Sequence, residues 1–184
     1  KNSYSLVNES SAHDTPEAIG TIRPFDELAE KAKYLGHINM FPDMDGIVRK
    51  EFVAIRYGDY YLPSMAVQSY KIFKGLSDDV IFMPGDKLSF KGFDVPLDMN
   101  SGFLIDYTGV EGKFPRISLA DVYFDRVKKE DIEGKIVLIG ATALGIYDLR
   151  VTPTSQNMPG IEKHAYVLNN LLNGKFIKKA DNHF

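Results

Sequence analysis

Apolar positions along this chain change period several times, and each change predicts a different element. In PFDELAEKAKYLG (24–36), Phe25, Leu28, Ala29, Ala32 and Leu35 recur at the three- and four-residue spacing of one helical face. Pro24 suits the start of that helix and Gly36 its stop. The next stretch, GHINMFPDMDGIVRKEFVAIRYGDYYLP, mixes β-branched and aromatic residues around Asp45-Gly46 and Gly58-Asp59. It reads as strands joined by hairpins. Pro63 then opens a short helix with Ala66, Val67, Tyr70 and Phe73 on one face and Gly75 at its end.

Strand-like fragments follow at VIFM, KLSF and FLIDY, separated by Gly and Pro. Ser118-Leu119-Ala120-Asp121 has the hydroxyl and acid spacing of a helix N-terminus, with Leu119, Val122 and Tyr123 as its apolar side. KIVLIG (135–140) is a continuous apolar, β-branched run of the kind buried on both faces of a sheet, so it is the candidate central strand, and Val137→Asp is expected to unfold the domain. DLRVTPTSQNMPG (148–160), with two prolines and several short polar residues, reads as an ordered surface excursion rather than a helix or strand. The last helix follows Pro159-Gly160, with Ile161, His164, Ala165, Leu168, Leu171 and Leu172 along one face and Gly174 beyond its end. Residues 1–23 are predicted to be a polar, irregular segment. The sum is one domain of α/β or α+β class, a mixed central sheet flanked by helices, without an internal repeat.

Composition changes this picture little. The 184 residues are 44% hydrophobic and 26% charged, which is ordinary globular usage. A formal net charge of −3 and dispersed basic residues exclude a basic face for nucleic acid. The absence of cysteine removes disulfides, thiolate nucleophiles and cysteine zinc sites. Apolar runs such as 136–139 are far below the roughly 20 residues that span a bilayer. The chain begins with Lys1 and shows no signal-peptide pattern, so it reads as a fragment of a longer protein.

Candidate chemistry is sparse. Gly140 and Gly145 have the spacing of the two P-loop glycines, but Ile146 and Tyr147 stand where Lys and Ser/Thr are required. A tight strand exit accounts for these glycines instead. Asp43-Met44-Asp45-Gly46 resembles both a phosphatase acid pair and the start of a calcium loop. Phe41-Pro42 precedes it, however, and Ile47, Val48 and Arg49 follow it, which fits a capped Asp-Gly turn. His164 has Leu168, not a second histidine, one turn on, so a hydrogen-bonded core histidine is expected there rather than a zinc ligand. No Gly-x-Ser-x-Gly elbow exists. Arg49, Asp106, Asp121 and Asp148 lie beside strands or turns, where a buried ion pair would lock loops together or a small anion would be held. No catalytic residue, metal ligand or cofactor is assigned.

Taken together, GHINMFPDMDGIVRK, YLPSMAVQSY, IDYTG, ISLADV, KIVLIGAT and DLRVTPTSQNMPGIEKHAYVLNNLLNG resemble the second class of CHASE domains, the cyclase and histidine-kinase associated sensory extracellular domains, over residues 24–178. The family's usual earlier half is missing, so the similarity is to its C-terminal part. The resemblance implies an extracytoplasmic, periplasmic or extracellular, input domain of a bacterial membrane receptor. Membrane helices outside this chain would tether it, residues 179–184 would lead towards one of them, and the cytoplasmic output would be a nucleotide cyclase, diguanylate cyclase or kinase. The implied partner is a small ligand, a periplasmic protein or a second copy.

Carried over by position, the family's recurrent residues fall on Gly36, Asp43, Asp45, Gly46, Arg49, Asp106, Tyr107, Gly140, Asp148, Thr152, Pro153, Pro159, Gly160, Glu162, His164 and Ala165. From these, Arg49, Asp45, Asp106, Asp148, Thr152 and His164 are the expected ligand-binding residues. Two other readings stand beside a sensor: a metal-dependent phosphohydrolase using Asp43 and Asp45, with Asp148 as a further ligand, and a structural dimerisation module.

Overall fold

The computed structural model describes residues 15–76, 80–109, 112–142 and 148–178. A short helix, α1 (Asp26–Lys31), precedes strand β1 (Lys50–Phe52) and the hairpin of β2 (Ala54–Tyr57) and β3 (Tyr60–Pro63). Helix α2 (Met65–Phe73) follows, then β4 (Ile81–Met83), β5 (Lys87–Phe90), β6 (Phe93–Pro96) and β7 (Gly102–Leu104). Helix α3 (Leu119–Tyr123) and a 3₁₀ turn at Lys129–Asp131 lead to β8 (Leu149–Thr152), β9 (Ser155–Pro159) and the long helix α4 (Gly160–Asn173).

The mixed α/β class holds. In place of one continuous central sheet, the described residues carry four antiparallel ladders: β1-β7, β2-β3, β4-β5-β6 and β8-β9. Single hydrogen bonds stitch them together. Val48 N–H donates to Val151 O (2.8 Å), Ser64 N–H to Val53 O (2.9 Å), and Leu104 bridges Ile177. Helix α2 packs on α4, and between helices and ladders lies one core containing Val53, Val67, Phe82, Leu88, Val95, Met158, Val167 and Leu171. Tyr61 meets Phe82 edge-on at 5.1 Å, and Tyr70 meets Phe90 at 5.0 Å, the geometry that ring quadrupoles favour.

Local chemistry explains why the expected elements formed. Ser64 caps α2 by accepting the Val67 N–H, and Gly75 ends it at φ 66°. Phe73, expected on the buried face, is half exposed because α2 stops there. Ser118 caps α3 in the same way. Gly174, at φ 61°, terminates α4 as its spacing predicts. The β2–β3 hairpin turns on Gly58-Asp59. The Asp45-Gly46 turn also forms, closed by Gly46 N–H to Asp43 O at 2.8 Å, but no strand ladder precedes it.

Several expectations are corrected. KIVLIG belongs to no ladder. Ile136 and Leu138 pack on the core, whereas Val137 is 53% and Ile139 79% exposed. An apolar run looks the same whether one face or both are covered, and only neighbouring elements decide which.

The predicted excursion 148–160 is a β-hairpin, because Pro153 sits in its two-residue turn and Pro159 at the end of its strand, where neither interrupts the ladder. The amphipathic helix at 24–36 shrinks to six residues with none fully buried, since the described residues leave much of its apolar face, Phe25 and Leu28 included, exposed. Gly36 is not its stop. A Cβ there would lie 2.7 Å from the Met65 backbone, so glycine allows residues 36–37 to run against the end of β3, with His37 N–H donating to Pro63 O (2.9 Å) and Met65 N–H to His37 O (2.8 Å).

Residues 15–18 are tied rather than loose. Glu17 bridges Arg56 in parallel, and Arg56 N–H donates to Pro16 O at 2.8 Å. Strand β6 was not foreseen, although Lys91-Gly92, with Gly92 at φ 108°, is a two-residue hairpin turn visible in the sequence.

Candidate functional site

The chain between α1 and β1 makes a tight loop because Asp45 bonds its own backbone: its carboxylate accepts the Ile47 N–H at 3.1 Å. Arg49 closes the loop. Its guanidinium donates to Asp43 Oδ2 at 2.8 Å and forks onto both Asp45 oxygens at 2.9 and 2.7 Å. The Arg49 hydrogen bond, helped by the Ile47 amide, holds the Asp45 carboxyl at about 2, and the two aspartates push the Arg49 pKa up in turn.

The β8–β9 hairpin lies against this loop through the Val48–Val151 hydrogen bond. An open depression of about 330 Å³ separates the two, lined by Met40, Pro42, Gly46, Val48, Leu149, Arg150 and Val151. Asp148 pairs with Arg150 at 3.1 Å, and its backbone carbonyl accepts the Gly160 N–H at 2.8 Å. Its carboxylate oxygens would lie 2.5 and 2.7 Å from a Cβ at position 160, which explains glycine at the start of α4. Thr152 is buried. Its hydroxyl accepts the Ser155 N–H at 3.1 Å and donates to Ser155 O at 3.2 Å, which pins the hairpin turn.

Arg49, Asp45, Asp148 and Thr152 therefore share one edge of the domain, while Asp106 and His164 serve elsewhere. The Asp106 backbone is clasped by the Asn170 side chain, which accepts its N–H at 2.9 Å and donates to its carbonyl at 3.3 Å. Glu162, in the first turn of α4, is buried, accepts the Gly112 N–H at 2.7 Å and pairs with Arg116.

His164 belongs to a buried polar constellation whose centre the sequence reading missed. Lys163 on α4 is 0% exposed and pairs with Glu51, the middle residue of β1, which is 1% exposed. Burial opposes ionisation of Glu51, but Lys163, His164 and His37 together outweigh it and hold the carboxyl below its usual range. Burial, assisted by Lys163, lowers His37 and His164 to about 4 each. Both imidazoles are therefore neutral at pH 7. The expected hydrogen bonds of a core histidine are incomplete: among the described residues His164 Nδ1 has no partner, and the His37 ring nitrogens make no hydrogen bond of full geometry, the nearby Phe52 carbonyl being the acceptor that favours a proton there. Burial also raises the Tyr107 pKa, with Glu51 and Tyr166 adding to it, while its hydroxyl donates to Val48 O at 3.0 Å.

A signal for this pair was present. Lys163 falls on the same helical stripe as Tyr166, Val167 and Asn170, all buried, and a lysine there demands a carboxylate.

Among the described residues the acidic side chains do not assemble a metal centre. Asp43 and Asp45 already share the Arg49 guanidinium, and no group of three or more His, Asp or Glu among the described residues is placed to hold a metal ion. Gly140, read as a tight strand exit, is needed for contact, because a Cβ would lie 2.7 Å from Ile161 Cβ. Its companion Gly145 falls outside the described residues.

No described helix is long and apolar enough to cross a membrane. No curated protein and no solved structure matches the chain. The family model of the CHASE2 domain matches residues 5–184, which extends the similarity well upstream of residue 24. With that match covering nearly its whole length, the chain belongs to the CHASE2 family of extracytoplasmic sensory domains.

Proposed function

We propose that this domain is the input module of a bacterial transmembrane receptor with a cyclase, diguanylate cyclase or histidine-kinase output, and that it has no catalytic activity of its own. Its effector, a small ligand or a periplasmic protein, engages the edge formed by the 43–49 loop and the β8–β9 hairpin. One observation carries this reading: the same short stretch of chain joins the depression to α4. Gly46 and Val48 line the depression, Arg49 clamps its loop, and two residues on Glu51 holds Lys163 of α4. An effector that prefers one arrangement of the loop thereby biases the position of the longest helix, as a population shift. Arg49 and Arg150 are both partly exposed at this edge, each already paired with aspartate, so an effector that takes over either guanidinium would release the loop or the hairpin it ties.

The test uses the full-length receptor with its output measured. Arg49→Ala and Arg150→Ala are each expected to change the response to the effector, while the melting midpoint of the isolated domain stays within a few degrees, because exposed ion pairs contribute only about 0.2–1 kcal/mol. An unchanged response in both variants, or loss of folding in both, rejects the edge as the site. A reporter phosphatase fused after the domain in the full reading frame should be active, as it is only outside the cytoplasm.

A further inference from the structure

The junction of β1, α4 and residues 36–39 concentrates more ionisable groups than such burial ordinarily tolerates. Lys163 and His164 come from α4, Glu51 from β1 and His37 from the segment laid against β3. Tyr107, just after β7, faces the same carboxylate. Lys163 and Glu51 satisfy each other through one carboxylate oxygen. The other, Oε1, has no partner among the described residues, nor does His164 Nδ1, and His37 has only the nearby Phe52 carbonyl, without a hydrogen bond of full geometry. With the histidines uncharged, one positive and one negative charge balance in the interior.

We propose that His37 and His164, packed around the buried Glu51–Lys163 pair, form a proton-operated latch: acidification adds a second and third positive charge beside Lys163, and α4 separates from β1 and from residues 36–39. This latch is a property of the chain itself and does not depend on the receptor reading or on the edge proposed as its effector site.

The direction follows from which terms win. At His37, burial and Lys163 disfavour the proton, against Glu51 and the Phe52 carbonyl, and the outcome is about 4 against an ordinary 6.5. At His164, burial, Lys163 and His37 disfavour it against Glu51 alone, again to about 4. The open form binds protons at the ordinary value, so it gains as pH falls from 6.5 towards 4 and is suppressed above that window. Protonation also leaves Glu51 as the single anion among three cations, so no rearrangement inside the closed cluster restores balance.

Amide hydrogen exchange on the intact chain at pH 7 and pH 5, corrected for intrinsic exchange, tests the latch. The opening equilibrium of amides in α4 and β1 is expected to rise roughly 20-fold per histidine, and by a few hundred-fold for both. The β4-β5-β6 ladder, which holds none of these groups, should keep its protection. His37→Gln and His164→Gln should each remove about one histidine's share. Protection lost evenly over the whole domain, or an undiminished pH response in the variants, overturns the proposal.

If a variant does not fold, imidazole titration of the wild-type chain by nuclear magnetic resonance decides instead. Both closed-form signals should stay neutral down to about pH 5. Titration of either near 6.5 with α4 still protected overturns the latch.

Discussion

At the scale of single residues, charge placement and close approach account for most of what is specific here. Glu51 and Lys163 are fully buried, so removing one partner strands the other: Lys163→Met is expected to destabilise the domain by about 3–5 kcal/mol. Adding Glu51→Gln should return a substantial part of that loss. Urea unfolding of the two single variants and the double variant measures the coupling, and additive effects would mean that the pair does not interact. Three glycines are fixed by space. Gly36→Ala meets Met65 backbone at 2.7 Å, Gly160→Ala meets the Asp148 carboxylate and Gly140→Ala meets the Ile161 side chain. Backbone yields least, so Gly36→Ala should cost the most, about 1–3 kcal/mol, and Asp148→Ala should relieve Gly160→Ala but not Gly36→Ala. Thermal melts of these variants check that order.

At the scale of elements, burial separates segments that look alike in sequence. KIVLIG and α4 are both apolar-rich, yet α4 buries nine of its fourteen residues while alternate residues of KIVLIG face outward. Val137→Asp should therefore leave stability within about 0.5 kcal/mol, as surface substitutions do. Leu138→Asp, on the face packed against the core, should cost several kcal/mol by burying an unpaired carboxylate. Equal tolerance of both substitutions in chemical denaturation would contradict the alternation. In the β8–β9 hairpin, Thr152→Val keeps the shape but loses both hydroxyl bonds to Ser155, and about 1–2 kcal/mol of stability should go with them.

At the scale of the whole molecule, the domain reads as a set of short ladders held to one long helix. The proposed signalling turns on how that helix is held. The P-loop spacing fails in the sequence, where Ile146 and Tyr147 replace the required Lys and Ser/Thr, and no acidic metal cluster forms among the described residues, so p-nitrophenyl phosphate should not be turned over, and magnesium or calcium at millimolar concentration should not raise the melting midpoint. Turnover that disappears in Asp43→Asn would instead support the phosphohydrolase alternative.

The sequence by itself determined whatever is encoded locally. The caps at Ser64 and Ser118, the stop at Gly174, the turn at Gly58-Asp59 and the span of α4 each depend on a few neighbouring residues, and the order of six segments was enough to reveal the CHASE2 relationship. Tertiary structure alone decided which apolar faces are covered. The stripe on α1 and the outer side of KIVLIG carry the same pattern as buried faces, yet no α1 residue is fully buried and Val137 and Ile139 stay exposed. It alone also placed Glu51 opposite Lys163, 112 residues away, with His37 beside them. A charge in a strand or on a helical stripe states that a partner is needed. Which residue answers depends on the fold, because hydrophobic burial sets the helix's position and leaves the ionic groups to find balance where it puts them.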